Sequence, residues 1–195
     1  MRVRPAMLSL AVFLAAAAPA LAQVPPQPVP PAPRHPVPGQ RLNNWDRQFV
    51  REALLDGYFE IDMGRLAERN ASAANVKRYG GWMVEDNQSI DASLSALAER
   101  KGIQAPRALN PRHIALLDRF ENLQGRQFDG AYLTAMVQDH DNEIRAFNHE
   151  VTNGTDPDLR RFARQTLQHL SRYDQLAHQM NQSLAGVGAS AARRR

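Results

Sequence analysis

What most constrains this chain is the spacing of its apolar residues. Between Phe128 and Val151, the residues Leu133, Val137, His140, Ile144, Phe147 and Val151 follow one another by four and three positions in turn. That rhythm places them on one stripe of a helix turned toward a core. Three other long segments repeat it. No run alternates at period two, and no Asn-Gly or Asp-Gly pair stands between alternating runs as a hairpin turn would require. The chain is therefore expected to be all-α.

Start and stop signals divide the pattern. The first helix is expected from about Asp46, with Asn44 as its cap, to Asn70, and the second from about Ala74 to Lys101, stopped by Gly102. Asn110 followed by Pro111 opens a short helix ending near Gly125, because proline suits the first helical position, where its missing N–H is not needed. The third long helix is expected over Gln127 to Thr152, closed by Asn153-Gly154. Asp156-Pro157 starts the fourth, which continues to about Leu184. Helices of roughly 25 residues reach about 37 Å. The short links at 71–73 and 153–155 make two antiparallel hairpins, and the long link 102–126 can cross between them. Two hairpins joined by one long crossover is the connectivity of a ferritin-like four-helix bundle. An up-down-up-down bundle is the other topology these lengths allow.

The ends read differently. Arg2 and Arg4 precede an apolar run, Ala6 to Ala18, and then Pro19 and Ala20-Leu21-Ala22. This is the pattern of a secretory signal peptide over residues 1–22, with no membrane span left after cleavage. An uncleaved anchor is the alternative. Residues 23–44 form a Pro-rich spacer, with eight prolines between Val24 and Gly39, extended at about 3 Å per residue. The bundle occupies residues 45–185, and 186–195 form a small, polar, basic tail expected to be disordered. With no cysteine in the chain, disulfides and thiolate metal sites are excluded, and a periplasmic or secreted protein must rely on core packing.

The isoelectric point near 9.9 invites a nucleic-acid reading, which the distribution of charge removes. Between Trp45 and Ala185 there are 17 Arg or Lys against 20 Asp or Glu, a net −3. The positive excess lies in the leader, at Arg34 and Arg41, and in Arg193-Arg194-Arg195. A mildly acidic domain offers no basic stripe for phosphates. The sequence names no protein partner and no oligomeric state.

One polar residue interrupts each apolar stripe near mid-length. In the second helix Val76, Tyr79, Met83, Asn87, Ile90, Leu94 and Leu97 enclose Asn87. In the fourth, Leu159, Ala163, Thr166, Leu170, Tyr173, Ala177, Met180 and Leu184 enclose Tyr173. In the first, Phe49, Ala53, Asp56, Glu60, Met63 and Ala67 place Glu60 among core residues, and in the third the interruption is His140. Antiparallel packing brings mid-helix residues to one level, so Glu60, Asn87, His140 and Tyr173 are expected to form a polar core layer. A buried carboxylate needs a partner, and His140 is the natural one for Glu60. On a structural reading the four residues are a hydrogen-bonded network that fixes register. On a functional reading Glu60 and His140 ligate a single divalent metal, with water or Tyr173 in the remaining positions. A third reading, with Glu60 or His140 as a general base, requires a cleft that reaches the layer.

Other chemistry finds little support. A di-iron bundle requires Glu-x-x-His pairs, whereas the residues three before His113, His140, His149, His169 and His178 are Asn110, Val137, Ala146, Thr166 and Gln175. Asp139, Asp141 and Glu143 flank His140 and are expected at the flank or in solvent on this helical phase. His169 and His178 are expected to be partly exposed. There is no glycine-rich phosphate loop and no nucleophile turn. Gly80-Gly81 lies inside the second helix at about 1 kcal/mol per glycine, consistent with a kink or a close helix approach.

The run Val76-Lys77-Arg78-Tyr79 with Met83-Val84-Glu85-Asp86, then Phe128-Asp129-Gly130-Ala131-Tyr132 with Met136-Val137 and His140, resembles the exported bacterial proteins grouped as domain of unknown function 4142. Phe49, Ala53, Gly57, Glu60 and Leu66-Ala67 fit the same pattern, and the resemblance covers about Asp46 to Met180. It implies a ferritin-like bundle, secreted or periplasmic, with no established activity. This chain departs from the family at Asn87 and Tyr173, where the resemblance implies inward histidines; Glu60 and His140 carry over. The expectation is an exported, non-enzymatic binding or envelope stress-related module with a polar core layer. The alternative is a mononuclear metal-binding or redox protein using Glu60 and His140.

Overall fold

The computed structural model describes the backbone of residues 42–192 and the side-chain environments of residues 42–184. The expected signal peptide, nearly all of the spacer and Arg193–Arg195 lie outside the described residues. Five helices and no strand are present among those described: α1 Asn44–Asn70, α2 Ala74–Arg100, α3 Pro111–Glu121, α4 Gly125–Asn153 and α5 Pro157–Ala192. Their starts follow local chemistry. Asn43, one residue before the expected cap, accepts from the Asp46 N–H, and Asp46 returns the bond to the Asn43 N–H. This reciprocal arrangement satisfies N–H groups that have no partner inside the helix. Asn110 caps α3 ahead of Pro111, and Asp156 Oδ1 accepts from the N–H groups of Asp158 and Leu159 ahead of α5. Beyond α2, Gly102 takes a φ of 65°, a conformation open to glycine at no steric cost.

Polar contacts at the helix ends define the direction of each helix. Lys101, just past α2, bonds Asp156 and Asp158 at the start of α5, while Thr155 donates to Asp46 at the start of α1. At the other end, Asp129 near the start of α4 accepts from the N–H groups of Ser72 and Ala73 between α1 and α2. Helices α1 and α5 therefore run one way and α2 and α4 the other. The hairpins α1–α2 and α4–α5 pack through α1 on α4 and α2 on α5, and the crossover carries α3 onto α1 and α4.

The α1–α2 hairpin closes over glycine. A Cβ on Gly64 would stand 2.6 Å from the Gly80 carbonyl oxygen, and one on Gly80 would stand 2.7 Å from that of Gly64. Gly80 thus lets two backbones approach, and this accounts for its place inside a helix. Two apolar clusters fill the interior: one around Phe59, Met63, Tyr79, Met83, Tyr132 and Met136, the other around Val50, Leu54, Leu94, Leu97, Phe147 and Leu159. Charged side chains lie at the sequence level between them.

The stripes of α2 and α5 are buried as their spacing predicts, apart from half-buried Leu184. Helix α4 is turned. Met136, Glu143 and Glu150 are buried beside His140 and Phe147, whereas Val137, Ile144 and Val151 are only half-buried. Glu143 is therefore inside rather than at the flank, Asp139 is half-buried, and Asp141 alone of the three is exposed. Helix α5 also passes the expected stop near Leu184, so residues 186–192 of the expected disordered tail are helical.

Candidate metal centre

The polar level is built by α1 and α4, with one contribution from α2. Glu60 on α1 is 1% exposed and His140 on α4 is fully buried. Asn87 on α2 donates from Nδ2 to Glu60 Oε2 at 2.7 Å. The other oxygen, Oε1, lies 3.0 Å from His140 Nε2, but the two are not aligned as a hydrogen bond, and both atoms lack any partner. Glu143, one helical turn from Asp139 on α4, is 5% exposed, and its Oε2 is also without a partner. One ligand atom each from Glu60, His140 and Glu143 lie within 4.8 Å of one another. A separation near 3 Å is the edge expected between neighbouring ligands around an ion with bonds of about 2.1 Å.

Three of the four residues expected in the layer meet there, in contact through Glu60. The fourth, Tyr173, is buried beside His140, with ring centroids 6.3 Å apart. Its hydroxyl, however, donates away from the layer, to Asp86 Oδ2 at 2.6 Å. His169 Nδ1 stands 3.7 Å from the same oxygen, so Tyr173 belongs to a separate cluster nearer the surface. Burial alone would raise the Asp86 carboxyl; His169, the Tyr173 hydroxyl and the charge of Arg172 more than offset it and hold the group below its usual value.

Sequence reasoning missed most of the acidic neighbours. Burial pushes the Asp56 carboxyl up to about 7, with the charges of Glu60 and Glu52 adding to it. Asp91 is pushed up to about 8 by burial and then by Glu60 and Asp56. Asp139 and Glu143 are both held well above the carboxylate range, first by burial and then by Glu60. Asp91 is packed on Gly57, where a Cβ would meet its Oδ1 at 2.2 Å, and neither of its oxygens has a partner. No arginine or lysine forms an ion pair with any of these carboxylates among the described residues. His113, on the crossover helix, packs against α1. Its ring stacks on Phe59 with centroids 4.7 Å apart, and its Nε2 is 3.4 Å from Asp56 Oδ1. Burial, then the charge of Arg112, lowers its basicity.

A cleft of about 80 Å³ opens along the α1–α4 seam, lined by Trp45, Phe49, Glu52, Asp56, Glu143 and Phe147 among others. Asp56 and Glu143 are among its lining residues, whereas Glu60 and His140 are not. Two carboxylates and an imidazole, with no sulfur among them, suit a zinc, manganese or ferrous ion rather than cuprous copper. No helix among the described residues is long and apolar enough to cross a membrane.

This geometry defines an all-helical domain of two antiparallel hairpins with a buried acidic centre at mid-length. The chain belongs to the family described as Domain of unknown function (DUF4142), which matches residues 32–180. Among solved structures, a DUF305 fragment from Deinococcus radiodurans is similar over 75% of this chain and 99% of its own, with 16% identity and a TM-score of 0.64. A DUF305 protein from Streptomyces coelicolor, described as a candidate secreted protein, is similar over 72% of this chain and 92% of its own, at 14% identity and a TM-score of 0.62. At those identities the likeness is one of fold. A comparison with curated proteins finds no match.

Proposed function

We propose that this protein is an exported, non-enzymatic binding module whose ferritin-like four-helix bundle holds a divalent metal ion at Glu60, His140 and Glu143. The observation that carries the reading is the set of buried ligand atoms without hydrogen-bond partners: Glu60 Oε1, His140 Nε2 and Glu143 Oε2. Each such atom costs about 1–3 kcal/mol when left unsatisfied, and buried polar groups are otherwise almost always paired. A cation satisfies all three at once and neutralises two carboxylates. Asn87 ties down the second Glu60 oxygen, which fixes the carboxylate's orientation as outer hydrogen bonds do around metal ligands. The secreted description of a structural neighbour and the leader-like first 22 residues support export.

The test is metal analysis of the purified mature protein after incubation with zinc or manganese, beside His140→Ala and Glu143→Gln. Bound metal in the parent, lost from both variants, is the expected result. No metal in the parent, together with a loss of stability in His140→Ala, would leave the cluster as a hydrogen-bonded structural layer in which Glu143 and Glu60 share a proton.

A further inference from the structure

We propose that the outward face of α5 is a docking surface for a membrane carrying anionic phospholipid headgroups, engaged through Arg161, Arg164 and Arg172. The inference is independent of the metal-binding reading, because α5 supplies none of the three ligands of that centre.

The charge counted along the sequence and the charge shown at the surface differ in sign. Between Trp45 and Leu184 there are 17 Arg or Lys against 20 Asp or Glu, a net −3. Burial divides them unequally. Thirteen of the bases are exposed against seven of the acids, a net +6 at the surface. The other acids are buried or half-buried. Among them Asp56, Asp91, Asp139, Glu143 and Glu150 are held above the carboxylate range, in each case chiefly by burial. Near neutral pH they therefore carry less negative charge than a count of carboxylates gives. In salt a large anionic partner feels mainly the charges within about a Debye length of its contact, and at this surface those are basic.

Half of that excess stands on α5. Arg161, Arg164 and Arg172 are exposed, whereas Asp158 is buried and Asp174 half-buried, so no acid is exposed from Pro157 to Leu184. At 3.6 residues per turn the three arginines fall within about 80° of one another, opposite the core-facing Leu159, Ala163, Leu170 and Ala177. Arg164 and Arg172 form no ion pair among the described residues, and Arg161 has only Asp158 at 3.6 Å. Gln165, Gln168 and Gln175 are exposed between and beyond them, adding neutral amide donors. Past the end of the helix at Ala192 the sequence continues with Arg193-Arg194-Arg195. The face also selects among anions. It exposes no aromatic ring, which single-stranded nucleic acid needs for stacking. Packed along α4 and α2, α5 cannot enter a major groove as a reading helix does. A planar array of phosphates suits a straight face of roughly 42 Å, at 1.5 Å per residue. No large apolar side chain is exposed on it, so the contact is peripheral and electrostatic, without an inserted anchor.

The experiment is co-sedimentation of the mature protein with vesicles of phosphatidylglycerol and phosphatidylcholine in equal parts, beside vesicles of phosphatidylcholine alone, at low and at physiological salt. Binding to the anionic vesicles only, weakened by salt, is expected. Each arginine near such a surface is worth about fivefold in partition. Arg164→Gln combined with Arg172→Gln should therefore weaken binding by more than about tenfold. Arg65→Gln combined with Arg69→Gln removes the same charge from exposed positions on α1 and should leave binding within about twofold. All four positions are exposed, so the fold tolerates the changes, which circular dichroism checks. No binding to anionic vesicles at low salt overturns the proposal. Equal losses from the two pairs overturn the placement on α5, because overall charge would then carry the effect. Binding that survives the α5 pair but disappears when Arg193–Arg195 are replaced by glutamine moves the contact to the tail and overturns the face. Tighter binding to duplex DNA than to the vesicles, at matched phosphate concentration, overturns the lipid as partner.

Discussion

The Gly80-Gly81 pair separates backbone packing from helix propensity within two adjacent residues. In an exposed helix each Gly→Ala change would stabilise by up to about 1 kcal/mol, because alanine loses less backbone freedom on folding. At Gly80 the new Cβ would stand 2.7 Å from the Gly64 carbonyl oxygen and 2.7 Å from the Ala67 Cβ. Neither neighbour can rotate away, since one is backbone and the other a methyl group on the facing helix. The two helices must therefore separate along a packed interface, at a cost of about 1–3 kcal/mol for this kind of overpacking. At Gly81 the new Cβ meets only Glu68 Oε1 at 3.1 Å, the free end of an exposed side chain that can swing aside. Gly80→Ala is accordingly expected to lose about 1–2 kcal/mol net and Gly81→Ala to gain up to about 1 kcal/mol. Urea unfolding followed by circular dichroism measures both, and the comparison holds if the slopes agree. If Gly80→Ala proved as stable as Gly81→Ala, the close-approach argument for Gly80 would be refuted.

Three further outcomes follow from buried charge. Glu150 is fully buried, and burial with the nearby charge of Asp46 raises its carboxyl to about 7 from 4.5. Since the folded state holds this proton more tightly, the stability it contributes is complete below about pH 4.5 and is lost as pH rises through 7. The difference amounts to at most about 3 kcal/mol. Glu150→Gln should flatten that part of a stability–pH profile measured between pH 4 and 8, and an unchanged slope would count against it. Lys101 bonds Asp156 at 2.6 Å and Asp158 at 2.8 Å, so Lys101→Met leaves buried Asp156 without a cation and Asp158 with only Arg161 at 3.6 Å. The expected loss is about 2–4 kcal/mol in urea unfolding, and a loss under 1 kcal/mol would show the contact to be solvent-screened. Glu143→Gln should leave metal-free stability within about 1 kcal/mol, because burial already holds the carboxyl in its neutral form and a neutral amide of the same shape replaces it. It should also abolish the rise in melting temperature that saturating zinc gives the parent, a rise worth about 2.7 kcal/mol at a hundredfold excess over Kd.

Much of the fold was legible because capping chemistry is local. Asn110-Pro111 and Asp156-Pro157 act through bonds to residues two or three positions on, and those bonds form as their spacing predicts. The inward faces of α2 and α5 were legible for a similar reason: apolar residues outnumber polar ones on a single stripe. Helix α4 was harder. Its Val137, Ile144 and Val151 make as good a stripe by hydrophobicity as Met136, Glu143 and Glu150, and burial cost argues against an acidic face. Glu143 is turned inward as a neutral acid, its proton held first by burial and then by the charge of Glu60 on the facing helix, a collective property that no single helix displays. His113 was out of reach for another reason. It lies on a crossover whose path over α1 and α4 is set by tertiary packing, and no helical spacing relates it to Asp56.

Asn87 and Tyr173, where the resemblance implies histidines, bear on the centre in opposite ways. An imidazole at position 87 would present a nitrogen to Glu60 in place of the amide. Asn87 instead donates to Oε2, which holds one carboxylate oxygen and leaves the other free beside His140 and Glu143. Asparagine is here an orienting group, which lowers the number of ligands supplied by α2 while making Glu60 a better-defined one. Tyr173 contributes no such group, because its hydroxyl is committed to Asp86. The donors of the proposed centre therefore come from the α1–α4 seam instead of from all four long helices. The cleft that lies nearest to these residues opens between the same two helices, lined by Asp56 of α1 and Glu143 of α4.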